Sequence, residues 1–499
     1  MANNQKSLDT AFFGHPRGLS TLFFTETWER FSYYGMRAIL LFYMYFAVTK
    51  GGLGMDQVTA ASIMSIYGAL VYLSGVVGGW LADRIWGSRK TVFYGGVLIM
   101  FGHIALSLPF GKQALLVSIA LIVIGTGLLK PNVSSMVGNL YSENDRRRDA
   151  GFSIYLFGIN LGAAIAPWAV PWAASGFGLN LFHGQMNFHV GFALAAFGMF
   201  FGLVQYSIDG RKFLSKDGLT PDDPISHEQL RSVIFRTLAV VAGFAIILLI
   251  MAAFDQLTIN NVITIITIIA IGLPVYYFVL MLKSKKVTKV EKKRVAAYIP
   301  LFLSAVIFWI IQESGSVVLA LFAEERTILH LGAWHFAAAN FQTLNPIFMM
   351  MLTPLFAYLW DRIKHHPSAA HMFAAALVFA GLSYAFMALP GLIHGTTAGR
   401  VSPFWLVGSW FLVELGEVTL SPVGLSITAG FAPKAFKSQM MSMYFLANAA
   451  GQAVNAQIVK FYSSATEVQY FLIIGALGVI VGLVLVIFSK KIQAIADTE

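Results

Sequence analysis

Long apolar segments separated by short polar ones recur along the whole chain. A helix that crosses a bilayer needs about 20 mostly apolar residues. Fourteen segments reach that length, at residues 19–48, 59–82, 91–110, 114–140, 150–174, 188–208, 233–253, 259–282, 295–323, 336–360, 370–389, 403–430, 438–461 and 470–489. The pattern therefore predicts an all-α integral membrane protein with fourteen transmembrane helices.

Two polar stretches divide these fourteen segments into groups of six, two and six. The predicted organisation is an N-terminal six-helix bundle (1–210), a cytoplasmic linker (211–232), two inserted helices (233–282), a basic cytoplasmic linker (283–294) and a C-terminal six-helix bundle (295–499). The inserted pair carries no strongly charged residue in its interior, so we expect it to serve packing rather than transport.

A weak internal repeat relates the two six-helix groups. Their fifth spans share a Ser-x-Tyr pair and a glycine seven residues after the tyrosine: Ser153, Tyr155 and Gly162, then Ser442, Tyr444 and Gly451. Their fourth spans share a proline, Pro131 and Pro422. Two related halves around a central site are typical of secondary transporters.

Composition supports the membrane assignment and excludes several classes of protein. Hydrophobic residues make up 57% of the 499 residues and charged residues 12%, with a mean hydropathy of +0.70. A soluble domain carries about 25% charge, so an ordinary soluble enzyme and a disordered chain are excluded. Cysteine is absent, which excludes disulfides, thiolate metal sites and a cysteine nucleophile.

The net charge of +10 has a topological explanation. With both termini placed in the cytoplasm, the cytoplasmic segments hold 26 of the 34 Lys and Arg residues and the outer segments hold five. Cytoplasmic loops of membrane proteins are rich in Lys and Arg. We therefore predict a plasma-membrane protein with cytoplasmic termini, whose cations orient it in the bilayer and do not bind nucleic acid.

Charged residues inside the spans indicate where a substrate passes, because such residues face a cavity or a partner. On the first span, Glu26, Glu29, Arg30, Tyr33 and Arg37 share a polar stripe about 100° wide. Other charged residues within spans are Lys130, Glu313, Glu414 and Glu417. An alternative role for the stripe is internal ion pairing, such as Glu26 with Arg30, that holds the bundle together.

Two ion pairs between the halves are predicted as alternating gates, Arg37 with Glu313 and Lys130 with Glu417. Cations on one half and acids on the other suit a zwitterion such as a peptide, whose carboxylate Arg37 and Lys130 would hold. The predicted partners of the peptide ammonium are Glu417, Asn160 and Asn345. The predicted aromatic walls are Tyr33, Tyr34, Tyr72 and Trp309.

Three sequence motifs resemble those of the proton-dependent oligopeptide transporters of the major facilitator superfamily. Residues 26–35 (ETWERFSYYG) resemble the family's first-span signature, residues 79–87 (GWLADRIWG) its loop motif, and residues 155–162 (YLFGINLG) its second signature. The resemblance spans the chain, including the two extra helices of bacterial members. It implies two six-helix bundles and proton-driven uptake of di- and tripeptides.

The resemblance also implies roles for individual residues. Proton coupling falls to Glu26, Glu29, Arg30 and Glu313, an outer gate to Arg37 and Glu313, and an inner gate to Lys130 and Glu417. Peptide contacts fall to Tyr33, Tyr34, Tyr72, Asn160, Trp309 and Asn345. One departure is Gln312, which stands before Glu313 where some relatives carry a second acid.

Other functions remain open at this stage. The main alternative is a transporter of another small anion, such as nitrate or a carboxylate, on the same fold. An enzyme is disfavoured because the spans hold no Ser/His dyad, Asp pair or His-rich metal spacing. A channel is disfavoured because a two-fold internal repeat with charges inside the spans favours alternating access. We expect a protein without cofactor or metal that acts as a monomer on peptides and protons.

Overall fold

The computed structural model describes residues 9–142, 145–179, 181–182, 185–221, 223–360, 362–363, 367–396 and 399–496. Helices account for most of these residues, as the apolar pattern predicts. They are α1 (Arg17–Tyr45), α2 (Gln57–Leu81), α3 (Ser88–Ser107), α4 (Gly111–Gly138), α5 (Arg148–Ala174), α6 (Phe188–Phe213), α7 (His227–Ala253), α8 (Ile259–Lys283), α9 (Lys289–Glu313), α10 (Val318–Arg326), α11 (Leu344–Trp360), α12 (Ala369–His394), α13 (Phe404–Gly430), α14 (Lys437–Ile458) and α15 (Glu467–Ala496).

The ninth predicted span, residues 295–323, lies within one segment that is long and apolar enough to cross a membrane, Lys289–Arg326, and that segment consists of two helices. A short 3₁₀ turn at Ser314–Ser316 and a non-helical Val317 (φ −122°, ψ −77°) separate α9 from α10. Gly315 has the Trp410 ring against its α-carbon, so the chain has no room for a side chain there. After α10, strands β1 (His330–Leu331) and β2 (Trp334–His335) form a small antiparallel hairpin that the apolar pattern does not reveal.

Twelve segments within the described part of the chain are long and apolar enough to cross a membrane. Two predicted spans, α1 and α14, do not reach that hydropathy. The first carries the charged residues of the polar stripe, and the second is rich in Ser, Gln and Asn. Polar side chains within a spanning helix must face other protein groups or water. These two helices therefore carry polar groups of the kind expected at a functional site.

Contacts divide the chain into two compact units. The first unit contains Met1–Met36 and Ser74–Val262, and the second contains Arg37–Leu73 and Ile263–Glu499. The division therefore cuts α1 and α2, and the chain between the two cuts packs with the later helices. The domain boundaries expected near residues 210 and 295 stay a prediction.

The glycines of the internal repeat, Gly162 and Gly451, each lie where two helices approach closely. Gly162 on α5 lies against the backbone of α1, where an added Cβ would overlap the carbonyl oxygen of Thr27. Gly451 on α14 lies against α9, where an added Cβ would stand 3.0 Å from the carbonyl oxygen of Val306. Small residues let membrane helices approach closely, so each unit uses its glycine at one close helix crossing.

The first inserted helix, α7, begins at a capping box formed by Ser226 and Gln229, and none of its residues is buried. The second, α8, buries one face, made of Ile263, Thr267, Ala270, Pro274, Phe278 and Met281 at helical spacing. That face packs within the second unit, where Thr267 Oγ1 donates to the carbonyl oxygen of Ala453 over 3.2 Å. The expected packing role of the inserted pair stays a prediction.

The segment that resembles the family's loop motif ends α2 in a π-helical turn, Ala82–Trp86. Arg84 pairs there with Asp223 at the exposed surface. The next arginine, Arg89, is buried and donates to the carbonyl oxygen of Gly210 over 2.7 Å. Arg89, two residues after the motif, thus fixes the start of α3 against the end of α6 through a backbone carbonyl.

Candidate functional site

In the first unit, the acidic and basic residues of α1 form one buried ion cluster. Arg30 Nη2 donates to Glu29 Oε1 over 2.7 Å, and its Nε contacts the other oxygen of the same carboxylate. Arg30 Nε also lies 3.4 Å from Glu26 Oε1, one turn earlier on the helix. Both glutamates are fully shielded from solvent. The cluster holds two carboxylates and one guanidinium, so it contains more acid than base.

Two residues from other helices act on Glu26 in this unit. The Lys130 ammonium on α4 interacts with its carboxylate electrostatically, and so does the Tyr155 hydroxyl on α5. Arg30 also lies 5.0 Å from the centre of the Tyr33 ring and 5.8 Å from that of Tyr34. The regular spacing of residues on α1 therefore brings the acids together, whereas Lys130 and Tyr155 reach them only through packing of α4 and α5.

In the second unit, Arg37 and Glu313 form a nearly buried ion pair with Nη2 and Oε2 2.8 Å apart. The same Arg37 Nη2 donates to Ser316 Oγ over 2.8 Å. Asn448 Nδ2 on α14 donates to the second oxygen, Glu313 Oε1, over 3.1 Å. Glu313 is the last residue of α9, so the pair lies directly at the break before α10. The sequence pattern indicated the two charges and missed Ser316 and Asn448.

A second group of polar side chains in this unit surrounds α13. Gln312 Nε2 donates to Glu417 Oε2 over 2.6 Å, and Asn345 Nδ2 donates to Glu414 Oε1 over 2.5 Å. The structure thus brings Asn345 to Glu414, and its expected role at the peptide ammonium stays a prediction. The signal for this group in the sequence is the three-residue spacing of two glutamates on one helix.

The remaining candidate residues are divided between the two units. Asn160 lies in the first unit, and its amide donates to the carbonyl oxygen of Leu156 on its own helix over 3.0 Å. Trp309 is buried in the second unit with its ring edge-on to Phe308. Tyr72 is half-buried in the second unit. Lys130 belongs to the first unit and Glu417 to the second, and their pairing stays a prediction.

Within the described ranges, no three His, Asp or Glu side chains lie together as potential metal ligands. The candidate site is accordingly built from ion pairs, amides and aromatic rings. Such groups bind charged and polar solutes, and buried acids among them accept and release protons.

Comparison with known proteins gives consistent matches across the chain. The sequence profile of the POT family matches residues 89–480. The di-/tripeptide transporter of Lactococcus lactis subsp. lactis (strain IL1403) is 46% identical over 499 residues, covering 98% of this chain and 98% of the relative.

Solved structures agree with this match. A crystal structure of peptide transporter POT in complex with sulfate is 50% identical, with a TM-score of 0.93, and covers 98% of this chain and 97% of that chain. A POT family transporter in complex with a thioalcohol-conjugated peptide is 44% identical, with a TM-score of 0.90, and covers 97% of this chain and 98% of that chain. These similarities confirm the predicted fold class.

Proposed function

Because this chain belongs to the POT family, a family of multi-pass membrane transporters, we propose that it imports di- and tripeptides together with protons by alternating access. The observation that carries the substrate class is the 46% identity, over nearly the whole of both chains, to a protein named di-/tripeptide transporter. No comparison favours the nitrate or carboxylate alternative.

The buried ion cluster on α1 supports proton coupling. Glu26 and Glu29 share a single guanidinium, Arg30, in surroundings shielded from solvent. The Lys130 ammonium also acts on Glu26, so the cluster has a carboxylate in excess of its cations once Lys130 moves to Glu417. Such an excess is costly in a buried site, and a proton that binds there relieves it. Glu313 takes part in the same way, because its carboxylate accepts a proton once Arg37 leaves it.

The peptide termini are held by opposite charges. Arg37 and Lys130 bind the carboxylate, and Glu417 binds the ammonium with help from Asn160 and Asn345. Arg37 is paired with Glu313 in the present arrangement, so it must exchange this partner for the peptide. The aromatic residues Tyr33, Tyr34, Tyr72 and Trp309 line the walls, where flat rings tolerate varied peptide side chains.

Gating follows from exchange of ion pairs. Arg37 with Glu313 forms the outer gate and Lys130 with Glu417 the inner gate, and each pair opens when the other closes. The 2.8 Å contact of the first pair supports a closed outer gate. Protonation of Glu313 weakens its attraction for Arg37, which links proton binding to opening.

The protein lies in the plasma membrane with both termini in the cytoplasm and acts as a monomer. The excess of Lys and Arg in the segments on one side of the predicted spans supports this orientation. No cofactor enters this scheme, because ion pairing and proton transfer by side chains are sufficient for symport.

A competition assay tests the substrate class. Purified full-length protein in proteoliposomes would take up a labelled dipeptide under an inward proton gradient, with unlabelled di-, tri- and tetrapeptides and nitrate as competitors. We expect competition by di- and tripeptides, little by tetrapeptides and none by nitrate. Uptake of labelled nitrate without uptake of dipeptide would overturn the proposal, and so would dipeptide uptake that is indifferent to the gradient.

A further inference from the structure

Glu414 and Glu417 lie three residues apart on α13 and therefore on the same face of that helix. The Glu417 carboxyl group acts electrostatically on that of Glu414. Glu414 is fully buried, and the mechanism proposed above does not use it. The structure thus contains two adjacent carboxyl groups in surroundings that disfavour two negative charges.

Two neutral amides among the described residues donate to this acid pair. Asn345 donates to one oxygen of Glu414, and Gln312 donates to Glu417. The second oxygen of Glu414, Oε2, is buried and accepts no hydrogen bond of ordinary geometry from the described residues. The protonated oxygen of a carboxylic acid donates a hydrogen bond and needs no donor of its own. Glu414 Oε2, beside a neighbouring carboxylate, has the surroundings expected for such an oxygen.

Among the described residues, the helices packed against α13 bring no cation to Glu414. Within the described residues, Glu414 forms no salt bridge, and the groups that act on it are Glu417, Asn345 and Gln312. From α14, Tyr444 acts on Glu417, and α12 meets this part of α13 with the carbonyl oxygen of Ala376 beside Gly416. Amides can donate hydrogen bonds to an anion, but they cannot neutralise a second charge.

We propose that Glu414 holds a proton and donates it in a hydrogen bond to the Glu417 carboxylate. When two carboxylates share a buried site, they cannot both ionise, and one proton serves the pair. The proton is taken up from the aqueous phase as hydronium, which leaves a water molecule, and no other bond changes, so the pair carries one negative charge in place of two.

This inference rests on the proposed function for its consequence. An acid pair with a single negative charge matches the single positive charge of a peptide's amino group, and Glu417 carries that charge. Glu414 acts through Glu417 and is therefore a positioning residue. The structural part of the inference, a protonated Glu414, stands independently of what the protein transports.

Infrared difference spectroscopy tests for the proton directly. The C=O stretch of a protonated carboxyl is separate from the bands of a carboxylate, and it shifts in D₂O. In the purified full-length protein at neutral pH, we expect Glu414→Gln to remove one such band. Glu228→Gln serves as the matched control, because Glu228 is exposed at the start of α7, and it should leave the protonated region unchanged.

A third variant tests the hydrogen bond between the two acids. Glu417→Gln should shift the Glu414 band without removing it, because the acceptor changes from a carboxylate to an amide. An unchanged band in Glu414→Gln would overturn the proposal. Loss of the band in Glu417→Gln together with a mere shift in Glu414→Gln would also overturn it, because the proton would then reside on Glu417.

Substrate addition separates this inference from the proposed function. A dipeptide should shift the Glu414 band, and the same dipeptide with an acetylated amino group should not. A band that is present but insensitive to the free amino group would overturn the link between the pair and the peptide. Failure of dipeptide uptake would overturn the proposed function, and the spectra of Glu414→Gln would still decide whether Glu414 is protonated.

Discussion

Arg37 Nη2 lies 2.8 Å from Glu313 Oε2, although 276 positions separate the two residues along the chain. The pair joins the middle of α1 to the last residue of α9, directly before the helix breaks. Ser316 and Asn448 hold the two partners in place. An ion pair at a helix break can be exchanged with little change to either helix, which suits a gate.

We expect the contributions of Arg37 and Glu313 to stability to be coupled. Arg37→Ala leaves the Glu313 carboxylate uncompensated, and removing one partner of a buried pair costs about 3–5 kcal/mol. Glu313→Gln removes the other charge. In a double-mutant cycle on thermal stability in detergent, the double variant should be less destabilised than the sum of the singles by about 1 kcal/mol or more. Simple additivity would contradict a direct interaction.

Glu29→Gln should abolish proton-driven accumulation of dipeptide, because the buried acid that we propose to bind the proton beside Arg30 is lost. Counterflow needs no net proton movement and should persist. Both can be measured in proteoliposomes from the same preparation. Glu228→Gln, at an exposed position on α7, is the matched control and should accumulate dipeptide normally. Undiminished accumulation by Glu29→Gln would exclude its coupling role.

Lys130→Ala should impair transport severely, since Lys130 acts on Glu26 in the first unit and is the proposed partner of Glu417. The exchange of charges, Lys130→Glu with Glu417→Lys, tests the pairing. We expect each single reversal to abolish dipeptide counterflow and the double reversal to recover part of it. A double variant as inactive as either single, with the same yield of folded protein, would argue against an inner gate of these two residues.

Gly162→Ala should lower stability, because its methyl group would overlap the carbonyl oxygen of Thr27 and push α5 away from the ion cluster on α1. Overpacking of this kind costs about 1–3 kcal/mol. Gly243→Ala on α7 is the control, since an added Cβ there meets no described atom within 4 Å. Melting temperatures in detergent compare the two. Equal melting temperatures would contradict a close crossing of α1 and α5.

Arg326→Met should destabilise the second unit more than the replacement of an exposed cation would. Arg326 forms a buried pair with Glu467 at 3.1 Å and donates to the carbonyl oxygens of Gly395 and Gly399. Removing it leaves a buried carboxylate and two carbonyls without their donor, at a cost of about 3–5 kcal/mol.

Arg84→Ala provides the comparison for this prediction. Its ion pair with Asp223 is solvent-exposed, and such pairs contribute about 0–1 kcal/mol. The loss in free energy of unfolding, measured in detergent, should therefore be clearly larger for Arg326→Met than for Arg84→Ala. A loss for Arg326→Met no larger than that for Arg84→Ala would mean that the pair with Glu467 is dispensable.

Much of the fold could be predicted from the chain alone, because burial in a bilayer constrains composition over some 20 residues at a time. Each predicted span overlaps a helix, although the ninth contains two, and the polar stripe on α1 follows from helical spacing. The break between α9 and α10 could not be predicted, since Ser314–Ser316 interrupts the apolar pattern too briefly. It arises where the Trp410 ring packs against Gly315.

The sequence by itself determined the helices, the family and the charges that lie within the spans, because these depend on local composition and periodicity. Only the tertiary structure decided which neutral groups hold these charges. It placed Asn345 against Glu414, Gln312 against Glu417 and Asn448 against Glu313. Neutral amides carry no signal of this kind in an apolar segment, and their partners are chosen by the packing of helices that are distant along the chain.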